Sequence, residues 1–294
     1  MSSLLFPNPE KTLYADIFLP LDEYLDDFEY LNTDNCNQVV LKAGQTDEGQ
    51  LLLPIIYTYF ACIFPDQENE NEMSFPDSWE DISTNESMKR ALLRQGFLSF
   101  LAYSGPYADY EKEKLLISEK DLLSQFESLL SGQKAWKDVT VRDVGNLHFL
   151  QRELGKSNGK THTFYAVPNI DGGVTSNICV YAGINRNTKL AHKVASLLDT
   201  FCELTKNNEF FLDYGIYIEQ DEYMKKIYRF YHEISETDVE SFFEMNDKIS
   251  NARFFSTWDC ALWDEFLAQN RKDPRPLEQA VKELYQTMQM ELKE

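Results

Sequence analysis

Chemistry in this chain has to come from a small set of side chains. Histidine occurs only at His148, His162, His192 and His232, and no two have the His-x-x-x-His or His-Glu-x-x-His spacing that places two imidazoles on one helix face. His148 and His162 fall on neighbouring expected strands, where a cross-strand pair near Asp171 would suit acid–base or metal chemistry. Read plainly, they are ordinary sheet residues. The cysteines Cys36, Cys62, Cys179, Cys202 and Cys260 are odd in number, widely separated and form no Cys-x-x-Cys pair. That pattern speaks against a disulfide framework and a structural zinc site, and for free thiols in a reducing cytoplasm. Cys260 follows Ser256 at an expected helix start, where the helix dipole favours a thiolate, but Trp258, Leu262, Trp263 and Phe266 surround it with apolar bulk. Cys179 and Cys202 lie in similarly apolar segments and read as packed thiols. No Gly-x-Ser-x-Gly elbow occurs.

The segment Gly155-Lys156-Ser157-Asn158-Gly159-Lys160-Thr161 resembles a phosphate-binding loop. It holds three residues between its glycines where that motif needs four, and a strand rather than a helix is expected after it. A hairpin turn accounts for it better. No catalytic residue and no cofactor are assigned.

Charge is the most distinctive property. The formal net charge is −21, which opposes direct binding to nucleic acid or an anionic membrane. Residues 1–86 carry 18 carboxylates and only two cations, Lys11 and Lys42. Asp22, Glu23, Asp26, Asp27 and Glu29 are expected to coat a short helix, and Asp66, Glu68, Glu70, Glu72 and Asp77 to populate the loop after it, beside Trp79. Such a surface steers a basic partner towards it, with Phe28, Tyr30, Phe75 and Trp79 as apolar contacts. Leu19, Pro20 and Tyr24 resemble the helix opening of a bacterial toxin-immunity superfamily, over that short stretch alone. The leading expectation is therefore a non-catalytic cytoplasmic protein of inhibitor or immunity type, which neutralises or regulates a basic protein through these carboxylates and Trp79. Two alternatives stand beside it: an enzyme, such as a hydrolase, with a site near His148 and His162, and a nucleic-acid mimic. The oligomeric state is left open.

The elements that would position these residues follow from periodicity. The apolar fraction of 43% supplies a sizeable core, and no apolar run reaches the length of a membrane-spanning helix. Met1 to Lys11 lacks a basic start followed by an apolar stretch, so no secretory signal is expected. A short helix near 21–31 and a hairpin of Val39–Ala43 with Leu51–Phe64 are expected, with Pro54 marking an edge or a bulge. Helices are expected near 83–103, where Ser83 and Glu86 match a capping box, from a helix start at Ser118 and Asp121, and from Leu190 onwards with a stripe of Val194, Leu197, Leu198, Phe201 and Leu204. Strands are expected near 146–153, 161–167, 174–184 and 210–218. Further helices are expected near 220–234, 236–249 and 257–269, and a last one after Pro276 carries Leu277, Val281, Leu284, Met288 and Leu292. Tyr217 and Tyr223 read as core residues with hydroxyl handles. The expected class is α+β, mostly antiparallel sheet with several packed helices and a helical C-terminal region. Its organisation is an acidic region 1–115 followed by an α+β region 116–294, or one continuous domain.

Overall fold

The computed structural model describes residues 8–65, 105–130, 140–143, 162–169, 172–208, 215–230, 236–254 and 275–293. The expected helices near 83–103 and 257–269, the strand near 146–153, the Gly155–Thr161 turn and Cys260 lie outside these residues. Along the chain come α1 (Pro9–Leu13), β1 (Phe18–Leu19), α2 (Asp22–Leu25), a 3-10 turn (Thr33–Asn35), α3 (Gln38–Lys42), β2 (Gln45–Thr46), β3 (Gly49–Gln50) and β4 (Leu53–Pro65). Then follow β5 (Ala108–Asp109), β6 (Lys114–Leu115), α4 (Glu119–Leu130), β7 (Thr140–Asp143), β8 (His162–Ala166), β9 (Val174–Ala182), β10 (Ile184–Asn185) and α5 (Ala191–Asn207). The last are β11 (Ile216–Tyr217), α6 (Gln220–Phe230), α7 (Glu236–Asn246), β12 (Ile249–Phe254) and α8 (Leu277–Glu291). The class is α+β, as the periodicity indicates.

The main sheet is built around β4. In order it reads β11-β4-β9-β12, with β7 and β8 pairing further along β4. Among the described residues, all pairings of β4 are antiparallel, and only β12 runs parallel to its neighbour β9. Leu53, Ile55, Ile56, Tyr57, Tyr59 and Ala61 are all buried, the continuous apolar signature of a strand covered on both faces. Pro54 is therefore not on an edge. It pairs with Tyr181 where the register shifts, so its missing N–H falls at a bulge. On one face α7 is fixed by polar contacts: the Tyr59 hydroxyl donates to the Phe242 carbonyl and the Tyr57 hydroxyl to Asn246 Oδ1, both at 2.8 Å. Burial pushes both phenols upward in pKa, so they remain donors.

Several elements differ from their sequence pattern. Val39–Ala43, expected as a strand, is the helix α3. Asn37 Oδ1 accepts the N–H groups of Val39 and Val40 at 3.1 and 3.2 Å, and Val40 and Leu41 are buried against the sheet. Capping and burial outweigh the weak β preference of two valines. The acidic helix near 21–31 is only Asp22–Leu25, because the N–H groups of Glu29 and Tyr30 are drawn to Asp199 on α5, at 3.1 and 3.0 Å. The buried face of α5 is rotated from the expected stripe. Ala195, Leu198 and Cys202 are buried, whereas Leu190, Leu197 and Leu204 are 56%, 68% and 55% exposed. Cys179 is exposed too, on an outward position of β9. The helix expected to reach residue 249 ends at Asn246 and is followed by β12, a strand that the pattern did not show, whereas two helix starts hold. Ser118 caps α4 and bonds Asp121, and α8 starts after Pro276 and buries Val281, Leu284, Met288 and Leu292.

Replacing Asn37 with Ala removes the acceptor for two first-turn amides. A loss of about 1 kcal/mol of stability is expected, read as a lower urea midpoint with an unchanged slope.

Candidate functional site

The carboxylates expected to meet a partner fall into two groups. Asp66, Glu68, Glu70, Glu72, Asp77 and Trp79 lie outside the described residues, as do Phe75, His148 and Asp171. His162 opens β8 opposite Pro65. The others are placed on and after α2, where Glu23, Asp26, Asp27 and Glu29 are exposed. Asp22 has an internal task. Its Oδ2 accepts the Gln50 N–H at 2.9 Å, while the Leu21 N–H donates to the Gln50 carbonyl at 2.8 Å. The approach depends on Gly49, whose φ is 118° and where an added Cβ would overlap Asp22 Oδ2.

The hairpin β2–β3, held in this way, forms one wall of a cleft of about 490 Å³. Leu13, Tyr14 and Asp16 contribute from the end of α1, Lys42 from α3, Gln45 to Glu48 and Leu51 from the hairpin, Glu111 from the β5–β6 turn and Arg186 from beyond β10. Helix α1 is firmly seated. Asn8 caps it, Pro9 occupies its first turn, Glu10 accepts the Phe254 N–H at 3.1 Å, and the Lys11 ammonium donates to the Glu291 carbonyl at 2.9 Å. The chain then reverses through Asp16, whose φ of 55° is a left-handed conformation tolerated by aspartate. Tyr14 is left 48% exposed at the cleft. Its phenol pKa is raised by burial first, and then by the negative field of Glu111, Asp109 and Glu10.

Arg186 organises the polar side. Its Nε donates to the Phe18 carbonyl at 3.0 Å, Nη1 pairs with Asp16 and Nη2 with Glu48. One guanidinium thus bridges the α1 turn, strand β1 and the hairpin. Its own backbone N–H donates to the Ile17 carbonyl at 2.9 Å. The lining combines planar carboxylates and a guanidinium, fixed by one another, with an exposed phenol ring: directional donors and acceptors beside a flat apolar face. Among the described residues, no group of three or more His, Cys, Asp or Glu side chains is placed to hold a metal ion.

Tyr14, Glu111 and Arg186 were not singled out by the sequence. Arg186 meets Asp16 and Glu48 across 170 and 138 residues, separations that no local pattern encodes. The left-handed turn at Asp16 left no signal either, since glycine is absent there.

A second polar cluster is a brace. Buried Glu219 accepts the Asn32 N–H at 3.0 Å through Oε1 and the Lys206 ammonium at 3.2 Å through Oε2, pinning the segment before α3 to α5 and β11. Cys36 and Cys202 are buried beside it, and burial pushes the Cys202 thiol up to about 12. These are inert core thiols.

The sequence matches no protein-family profile and no curated protein. Solved structures do resemble it in fold. A periplasmic oligogalacturonide binding protein from Yersinia enterocolitica superposes with a TM-score of 0.58 at 11% identity, over 97% of this chain and 84% of that one. An extracellular solute-binding protein of family 1 from Alicyclobacillus acidocaldarius gives 0.59 at 12%, over 97% and 83%. A de novo designed cysteine esterase gives 0.60 at 11%, over 97% and 83%. At these identities the likeness is one of fold, and the esterase shows that the fold does not dictate the chemistry.

This likeness corrects the leading expectation. A cytoplasmic inhibitor or immunity protein for a basic protein partner is not upheld: the chain shares its fold with periplasmic and extracellular solute-binding proteins, one of them named for an oligosaccharide. The physical reason lies in what charge can report. Net charge describes a long-range field and solubility, not architecture, and here part of the acidic front holds the fold together through Asp22.

Gly49→Ala is expected to lower stability by about 1–3 kcal/mol, and Asp22→Ala by about 1–2 kcal/mol. The double variant should lose less than the sum, because the added methyl displaces the same carboxylate. Urea titrations of all three variants check this, and strict additivity would refute the coupling.

Proposed function

We propose that this chain is a solute-binding protein that takes a small carbohydrate in the cleft between the α1 turn and the β2–β3 hairpin. The observation that carries the reading is the pairing of a fixed Arg186–Asp16–Glu48 array with the exposed ring of Tyr14. A sugar offers the complementary surface: hydroxyls that bond to planar polar groups and a C–H face that packs on an aromatic ring. The cleft volume of about 490 Å³ falls within the range of small-molecule sites, ~300–1,000 Å³. The fold likeness to sugar and solute binders supports the same reading. A place outside the cytoplasm goes with it. The buried thiols Cys36 and Cys202 are compatible with that setting, since raised thiol pKa values keep them unreactive.

Calorimetric titration with mono- and disaccharides tests the proposal. A binding sugar should also raise the melting temperature, since ligand at a hundredfold excess over Kd contributes about 2.7 kcal/mol. Tyr14→Ala should weaken binding roughly tenfold through loss of ring packing while leaving the fold intact by circular dichroism. Absence of both heat and thermal shift with every saccharide at millimolar concentration would refute the reading.

A further inference from the structure

We propose that the cleft selects amino-bearing, cationic saccharides and disfavours uronic acids, an inference that rests on the carbohydrate reading above. Its lining holds four carboxylates, Asp16, Asp47, Glu48 and Glu111, against two cations, Lys42 and Arg186, a formal net charge of −2. The usual recognition element for a sugar carboxylate is an arginine whose two-pronged fork faces the ligand. Here three of the five guanidinium N–H groups are already engaged, Nε by the Phe18 carbonyl, Nη1 by Asp16 and Nη2 by Glu48, so a uronate would meet a cation whose charge two carboxylates already offset.

Asp47 and Glu111, by contrast, are exposed on two different walls, the hairpin tip and the β5–β6 turn, and offer acceptors to an ammonium group. Burial first, and then the charges of Glu111, Asp109 and Glu10, push the Tyr14 phenol upward at this mouth, with Lys112 opposing. The whole-chain charge of −21 extends the same sign into solution and hinders the approach of an anionic sugar. A cleft of this charge accepts a neutral saccharide through hydrogen bonds and gains a further attraction when the saccharide carries an amine.

Isothermal titration of the full chain with a glucosamine disaccharide, the matching neutral disaccharide and digalacturonate tests the selection. At low ionic strength the amino sugar should bind about tenfold tighter than the neutral one, an advantage that shrinks several-fold at about 0.5 M salt. Digalacturonate should bind weakest. In the variant combining Asp47→Asn and Glu111→Gln, the ratio of amino-sugar to neutral-sugar affinity should fall to about twofold or less. Equal or tighter binding of digalacturonate would overturn the selection and leave the carbohydrate reading standing. Retention of the full amine preference in the double variant would overturn the assignment of these two carboxylates. Failure of all three sugars to bind would overturn the carbohydrate reading itself, and the selection with it.

Discussion

The structure hangs on the need to pair every peptide group of one buried strand. β4 is thirteen residues long and its first half is sealed from water on both faces, so its N–H and C=O groups have only neighbouring strands to turn to. Tyr57 is flanked by Ile216 and Ile178, and Ala61 by Arg142 and Ala166. Those partners come from widely separated parts of the chain, which must therefore return to β4 repeatedly. The return that matters for the cleft is β9. It runs into β10 through Gly183, where a Cβ would press on Leu52 Cδ2 at 2.7 Å and on Phe18 Cδ1 at 3.0 Å. Close passage at this point lets β10 pair with β1 and delivers Arg186 to the turn after α1.

Acidic residues serve this fold in two ways. Asp22, Asp199 and Glu219 point their oxygens at backbone amides and act as fixed acceptors, joining the N-terminal segments to the hairpin, to α5 and to β11. Charged acceptors of this kind make stronger hydrogen bonds than neutral ones, which suits junctions between elements that share little apolar surface. The remaining carboxylates of α2 and the cleft stay in water and set the field. A count of charges along a sequence cannot separate these roles, because the difference lies in whether an amide from another element comes within reach.

What could be read in advance was what depends on near neighbours. The helix start at Ser118 and Asp121, the stripe of α8, and strands β8 and β9 rest on spacings within a few residues, and the α+β class followed from them. Val39–Ala43 misled because its valines favour a strand while Asn37, two residues before, favours a helix, and burial decided between them. The stripe of α5 misled differently. It is helical as expected, but the polar anchor Asp199 and the small residue Ala195 face inward and leave three leucines outside. The cleft was the least legible part. Its key residues are individually unremarkable in type, and their meeting is a product of the sheet topology.

The hairpin wall of the cleft is attached to the body chiefly through Gln50, whose backbone joins α2 and whose side-chain amide donates to the Leu41 and Leu52 carbonyls at 2.9 and 2.6 Å. Beyond that anchor, Thr46 to Glu48 form a tip that takes no part in the main sheet. Within that tip Glu48 is tied to Arg186, and the Thr46 hydroxyl accepts the Glu48 N–H. Exchange of the exposed Asp47 between them rewrites what the wall presents to a ligand while those ties are kept, so new ligand preferences are open to this protein by a single substitution.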